Sequence, residues 1–444
     1  MSIPRFDSPA SYREVLDAVA KKWAARGRLE HLEVSGITLA QLRSRSWPLA
    51  RLLARTVAKG EYRFSPLVPI VARVQGKLRT LYRPNLLDFL VLAVAAKYLT
   101  AVSEPHLSPT LHSYRKGHSP WKAIRLLEEY LDEHARTVPL KSRGLYVLRR
   151  DIERYGESIG NSHDSALFAQ LDRVLVTDTD ARQRAMAREL LRAAIRQPVA
   201  QSDGTVSPLA RGIPTGSPIQ PPCGNLYLAG VDETLSSVEG AFYARFGDDI
   251  LFAHPDARVS EDLSAKLAEQ VTALELHFNF KKQQDFYWTR AARPGVDGTG
   301  FRPTAQVEYL GASVNFDGHI GPKREKARAL QRQLSQRLGH VTRAAGDIDR
   351  STLVGLLCSA VSRALEPTDP LALPGANLLR NTASDRSQLK DLDYRIALLV
   401  AELVTGQRGP RAFRGLGYRE MRKRGLPSLV VARQRKANTQ ERLS

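Results

Sequence analysis

Two aspartates stand side by side at Asp248-Asp249, behind Phe246-Gly247 and between the apolar runs ARF and ILFAH. A glycine tolerates the positive φ of a tight hairpin turn, so the pattern predicts strand, turn and strand with both carboxylates exposed between the strands. Adjacent carboxylates there repel each other, and divalent cations would relieve that repulsion. An ordinary acidic surface turn has the same composition. A third carboxylate, Asp151, ends the alternating segment LYVLRRD and heads a turn into a helix, where it could also serve as a helix cap. Brought beside Asp248, it would complete a site able to bridge two metal ions, activate a 3′-hydroxyl, orient a triphosphate and stabilise departing pyrophosphate. Between these points, Gly212, Pro214, Gly216 and Pro218 define a turn that lets backbone approach a ligand closely, and Asn225 and Tyr227 lie on the helix leaving it.

The elements that must position these groups follow from periodicity. Residues 10–60 read as helices with basic faces, with Gly27 and Gly36 as stops. VPIVARV and KLRTLYR read as a hairpin around Gln75-Gly76, followed by an apolar helix from Leu86. WKAIRLLEEYLDEHA is helical, as are most of 163–196 and 259–277, while 283–290 and 305–316 read as two strand pieces. Helices are expected from Lys323 to Leu338 and over 351–364 and 389–405. The strands lie scattered among helices and are expected to share one sheet. The fold class is therefore α+β.

The 444 residues carry 66 Lys and Arg against 46 Asp and Glu, a net charge of +20. That excess suits a polyanion, nucleic acid before membrane. Two cysteines, Cys223 and Cys358, exclude a cysteine zinc cluster and a disulfide framework. The polar N-terminus MSIPRFDSPASYREV lacks the apolar stretch of a signal peptide, and the apolar run 86–96 is too short to span a bilayer. A cytoplasmic protein without a membrane partner is expected.

Taken together, the motifs resemble the palm of bacterial reverse transcriptases: group II intron maturases, retron enzymes and stand-alone, abortive-infection-like defence enzymes. DIERYGESIGNSHDSAL resembles the first palm motif, GIPTGSPIQPPCGNLYL the loop-helix where maturases carry GTPQGGxxSPLLANLYL, and RFGDDILFAH the segment containing Y-A-D-D. LHFNFKKQQ is similar to the L-N-x-x-K motif, and VEYLGASVNFDGHI, with Gly311, resembles the F-L-G primer-grip strand. YRFSPLVPIVARVQGKLRTLYRPNLLDFLV resembles the fingers, with HSYRKGHSPWKAI matching Y-G-F-R-x-G-x-S. The likeness covers roughly residues 60–345.

The resemblance implies a right-hand polymerase fold, with fingers and palm around a small antiparallel sheet and a basic helical thumb and C-terminal region. The expected divisions are an N-terminal extension 1–60, fingers and palm 61–320, and thumb with C-terminal region 321–444. It implies RNA-directed DNA polymerase activity in bacterial antiphage defence. Asp151, Asp248 and Asp249 would be catalytic and hold two Mg2+ ions, or Mn2+, with Asp249 the most indirect. Lys77 and Arg79 on the fingers hairpin, Tyr155, Gly156, Thr215, Gly216 and Lys282 would meet the nucleotide, Arg79 through its forked guanidinium. Phe246, Arg83 and Gly311 would meet nucleic acid. The implied partners are nucleoside triphosphates, an RNA template or structured non-coding RNA, the DNA product, and a second copy of the chain.

Three departures bear on nucleotide choice. The family carries Tyr or Phe five residues after the first aspartate, where this chain has Gly156; Tyr155 is adjacent and could act after a one-residue shift. Thr215 stands where Gln is common, and Gln220 does not obviously replace it. Phe246-Gly247 replaces Tyr-Ala. A template-independent or sugar-relaxed polymerase is one alternative, and a non-catalytic nucleic-acid scaffold another.

Residues 401–444 hold 11 Lys and Arg against 3 Asp and Glu, a net of +8. Phe413 and Tyr418 could stack on bases while Arg414, Arg419, Arg422 and Arg424 meet phosphates. A solvated basic terminus would look the same. The maturase zinc motif is absent, which favours the stand-alone enzymes.

Overall fold

The computed structural model describes residues 3–25, 33–34, 36–74, 77–139, 144–201, 203–290, 300–381 and 383–432. Gly27 and the Gln75-Gly76 turn lie outside them. The chain is mixed α+β and forms two compact units, Met1–Ser119 with Leu148–Gln284, and Pro120–Val147 with Asp285–Ser444. These units cut across the expected divisions at 60 and 320: residues 1–60 group with the carboxylate-bearing strands, and 120–147 and 285–320 group with the C-terminal helices.

In the first unit, helices Pro9–Ala25, Ser46–Ala58, Leu86–Ser103, Ala166–Leu175 and Ala181–Ile195 surround a core of leucine, valine and alanine. The Leu86–Ser103 helix outruns its apolar sequence stretch because alanine, tyrosine and threonine continue the turns. With its extension to His106 it is, among the described residues, long and apolar enough to cross a membrane by length and composition, and 61% of its most apolar window is buried in the protein. Asn85 caps it by accepting from Asp88 N. Buried Asp88 in turn accepts from the Tyr62 hydroxyl at 2.6 Å and Ser65 N at 3.0 Å, tying the chain before the 68–83 hairpin to the helix after it.

That hairpin pairs Val68–Val74 with Lys77–Arg83 in antiparallel register, as β-branched alternation predicts. It forms its own two-stranded sheet. Its second strand is held to the glycine–proline loop by Tyr82 N donating to Thr215 O at 2.8 Å. Within this unit the carboxyl-terminal half of Leu145–Asp151 lies beside Asp249–His254, which pairs antiparallel with Phe242–Phe246 and closes at Phe246 opposite Asp249.

In the second unit, the first half of Leu145–Asp151 lies beside Gln284–Trp288, which pairs in parallel with Arg302–Thr304. Within the expected small antiparallel sheet, that one pair runs parallel. The 305–316 piece is also not one strand. Leu310 (φ 49°) and Gly311 (φ 86°) fold it into a hairpin, Gln306–Tyr309 with Ala312–Asn315, joined by Ile320–Pro322 in a separate three-stranded sheet.

The basic helix runs from Arg324 to Ala345, longer than expected. Its Leu330, Leu334 and Leu338 recur every four residues on one face and pack into a core with Leu357, Val361, Ile396 and Val400. Ala412, Leu416, Met421, Leu426 and Leu429 belong to that same core. Phe413 is half-buried against it, its ring 5.7 Å from that of Tyr394. The amphipathic spacing that buries Ala412 and Leu416 turns the Phe413 ring toward this core. Arg422 is engaged with the carbonyl of Leu426, whereas Arg414, Arg419, Arg424 and Tyr418 are exposed.

Candidate active site

The Leu145–Asp151 strand ends where the 242–254 hairpin turns. Ile152 N donates to Asp248 O at 3.2 Å, and Asn279 N donates to Asp151 O at 2.8 Å. Gly247 supplies the turn with φ 66°. These backbone bonds place Asp151 and Asp248 on one cleft of 710 Å³, lined also by Arg79, Thr80, Tyr114, Tyr155, Gly156, Thr215, Gln220, Asn225 and Lys282.

The carboxylates are not exposed, as the turn alone suggested. Asp151 is buried, and Asp248 and Asp249 are half-buried. Burial, and then the charge of Asp151, raises Asp248 above the ordinary carboxylate range, while Lys282 and Arg79 oppose the shift. Burial pushes Asp249 up to about 6 against the pull of Arg149. Lys282, carried on the turn after His277, sets its Nζ 2.6 Å from Asp151 Oδ2.

Asp249 has a different partner. Arg149 Nη2 lies 3.4 Å from its Oδ2. Among the described residues, no three carboxylate, histidine or cysteine side chains gather closely enough to cage an ion. Asp248 lies in the turn and lines the cleft, whereas Asp249 begins the next strand and meets Arg149. The donors present still fit hard divalent cations. Two carboxylates, one raised by its neighbour's charge and already accompanied by an ammonium, are hard oxygen ligands of the kind that hold Mg2+ together with substrate phosphates.

A buried network fixes the turn. Arg245 and Asp232 are both fully buried and joined at 2.6 Å. Arg245 also donates to Gly247 O at 2.9 Å and Asn225 O at 3.0 Å, and the Tyr243 hydroxyl donates to Asp232 at 2.5 Å. Sequence reasoning missed Arg245. Its one signal was a charged residue at an inward position of an otherwise apolar strand.

The remaining expected residues divide. Arg79, Tyr155, Gly156, Thr215 and Lys282 reach the cleft. Tyr155 donates its hydroxyl to the Gly224 carbonyl, and burial raises its pKa. The position of a side chain at Gly156 is filled by Gln220, whose Nε2 would lie 2.1 Å from an added Cβ and is 3.4 Å from Thr215 Oγ1. Gly216 takes φ 104°, its would-be Cβ 3.3 Å from Tyr82 O, so it meets the hairpin backbone. Arg83 is exposed, and the Lys77 side chain lies outside the described residues. Gly311 sits in the hairpin turn of the second unit and accepts from Lys323 N at 3.1 Å. Tyr114, also on the cleft, was not anticipated.

No protein-family model matches the chain, and no curated protein matches it. Solved structures similar to it include telomerases. Apo telomerase from Candida tropicalis truncated from its C-terminal domain is 12% identical over 59% of this chain and 55% of that one, with a TM-score of 0.45. Telomerase from Candida albicans in complex with a TWJ fragment of telomeric RNA is 12% identical over 82% and 64%, at 0.46. Apo telomerase from Candida tropicalis is 11% identical over 95% and 79%, at 0.44. The chain spans less than two thirds of the first two.

Proposed function

We propose that the protein is an RNA-directed DNA polymerase that transfers nucleotides with the help of two divalent metal ions, and that it serves bacterial antiphage defence. The observation that carries the catalytic reading is the meeting of Asp151 and Asp248 on one cleft with Lys282 and Arg79. The place in defence rests on the sequence resemblance to stand-alone enzymes. Asp151 and Asp248 would hold the ions, with Asp249 steadied by Arg149 behind them. When bound, such ions favour ionisation of the attacking 3′-hydroxyl and neutralise the leaving pyrophosphate. Arg79 offers a planar fork to phosphate oxygens. Lys282 keeps a proton at Nζ beside Asp151 and can pass it to the departing phosphate.

The test is extension of a DNA primer on an RNA template with deoxynucleotides and Mg2+. Asp151→Asn and Asp248→Asn should each lower the rate at least ~100-fold. Near-wild-type extension by purified D248N would end the assignment.

A further inference from the structure

Tyr114 carries the least expected backbone in the cleft. It is a non-glycine residue at φ 55°, a left-handed conformation that a tyrosine rarely adopts, yet the residue is 64% exposed. An exposed turn position free of other demands takes Gly, Asn or Asp. Here the neighbours hold the strain in place. Before Tyr114, His112 N donates to Arg245 O at 2.9 Å, and buried Ser113 exchanges two 2.9 Å hydrogen bonds with Asn225. After it, the Arg115 side chain, 6% exposed, is fixed by Glu104 at 2.8 Å and by the carbonyls of Ser108 and Leu111. Backbone locked on both sides presents an aromatic ring to solvent on the cleft that holds Asp151 and Asp248. Strain maintained in this way at a site marks a function for the side chain.

The ring has a companion. Phe246, the residue before Gly247-Asp248, lies with its ring centroid 6.3 Å from that of Tyr114 at a tilt of 35°. Both rings are therefore tied to the strand that delivers Asp248: Phe246 belongs to it, and Leu111 bridges to Arg245 on it. Phosphate-binding groups, Arg79 and Lys282, come from other segments. We infer that Tyr114, with Phe246, is a stacking platform for the 3′-terminal nucleotide of the strand being extended. This rests on the polymerase reading above and deepens it. A flat face sequence-tolerantly accepts any base, and a rigid one does so without ordering cost at binding.

The experiment uses the full chain and a DNA primer on an RNA template with 2-aminopurine at the primer 3′ end, read by fluorescence without nucleotide and by steady-state extension. Wild type and Tyr114→Phe should quench the probe alike. Tyr114→Gly should lose the quench and about tenfold in kcat/KM for primer–template, while KM for nucleotide holds. Its Tm should be no lower, because glycine accepts the backbone angle. Undiminished quenching in Y114G overturns the inference, as does a lower Tm accounting for the loss or a change confined to nucleotide KM, which would place the ring on the incoming nucleotide. Extension sensitive to D248N but a quench indifferent to Tyr114 defeats this inference alone. A Tyr114-dependent quench without any D248N-sensitive extension leaves strand-end binding standing and removes the polymerase reading.

Discussion

Lys282 Nζ and Asp151 Oδ2 are 2.6 Å apart although 131 residues separate them in sequence, and the lysine is nearly half exposed. Solvent screens such a pair, so it contributes little to stability. Its consequence is chemical, since an ammonium stands where phosphate charge would accumulate. Lys282→Met should leave Tm nearly unchanged and slow single-turnover incorporation by about 100-fold. An equal loss of stability and rate would reduce the lysine to a structural partner.

Asp248 and Asp249 should differ sharply despite their adjacency. Asp249 already has Arg149 at 3.4 Å, whereas Asp248 lines the cleft. Asp249→Asn should slow incorporation by about tenfold, well short of the ~100-fold expected for Asp248→Asn. Arg149→Met should reproduce the D249N effect, and the double variant should add little to either. Additive losses in that cycle would break the proposed pairing.

The contrast between these aspartates also marks what the sequence could and could not reveal. Alternation in LYVLRRD and the glycine in FGDD were enough to locate two strands and a turn, because period-two patterning and positive φ are local properties. Arg149 lies 100 residues from Asp249, and nothing local identifies that partner. Gly311 was a local cue that could have marked the break within 305–316, read instead as one strand, but the parallel pairing of Phe286 with Arg302 depends on a distant chain path. Tyr114 lies in the HSYRKGHSPWKAI segment matched to the fingers, but nothing local marked its left-handed backbone, which contradicts the residue's own preference. Phe413 reads as a basic-stretch aromatic until the helices around it supply a core.

Removing one member of the buried Arg245–Asp232 pair would leave the other charge without compensation. Asp232→Asn should destabilise the fold by roughly 3–5 kcal/mol in urea unfolding. The Arg245→Met, Asp232→Leu double variant should be less destabilised than Arg245→Met alone. It should still extend primers slowly, because nothing then holds Gly247 O and the turn bearing Asp248. A stable double variant with full activity would show that the network does not position the turn.

The basic C-terminal helices invite truncation, but the core argues for a different test. Deleting the chain from Gly406 would remove Ala412, Leu416, Met421, Leu426 and Leu429 from a shared core and should unfold the second unit. Replacing the exposed Arg414, Arg419 and Arg424 with alanine preserves it. If these side chains meet phosphates, the slope of log affinity against log salt should fall by about 2–3, following ~0.9 per contact. An unchanged slope in the folded triple variant would make this surface merely solvated.

Sugar choice turns on what stands beside Gly156. An added Cβ would come within 2.1 Å of Gln220 Nε2, the far end of a flexible side chain, so the amide occupies the place of the aromatic ring expected there. Tyr155 lines the same cleft but is tied by its hydroxyl to the Gly224 carbonyl, which fixes its ring against the Gln220–Tyr227 helix. Tyr155→Ala should therefore lower Tm by removing a packed ring and its hydrogen bond, and leave the ATP-to-dATP ratio of kcat/KM near its wild-type value. Gly156→Tyr alone should be impaired with both nucleotides. Combined with Gln220→Ala, which opens the space, it should depress ATP use more than dATP use, because the ring then meets only the ribose hydroxyl. A folded Y155A enzyme that admits ATP freely would instead make Tyr155 the residue that excludes ribose.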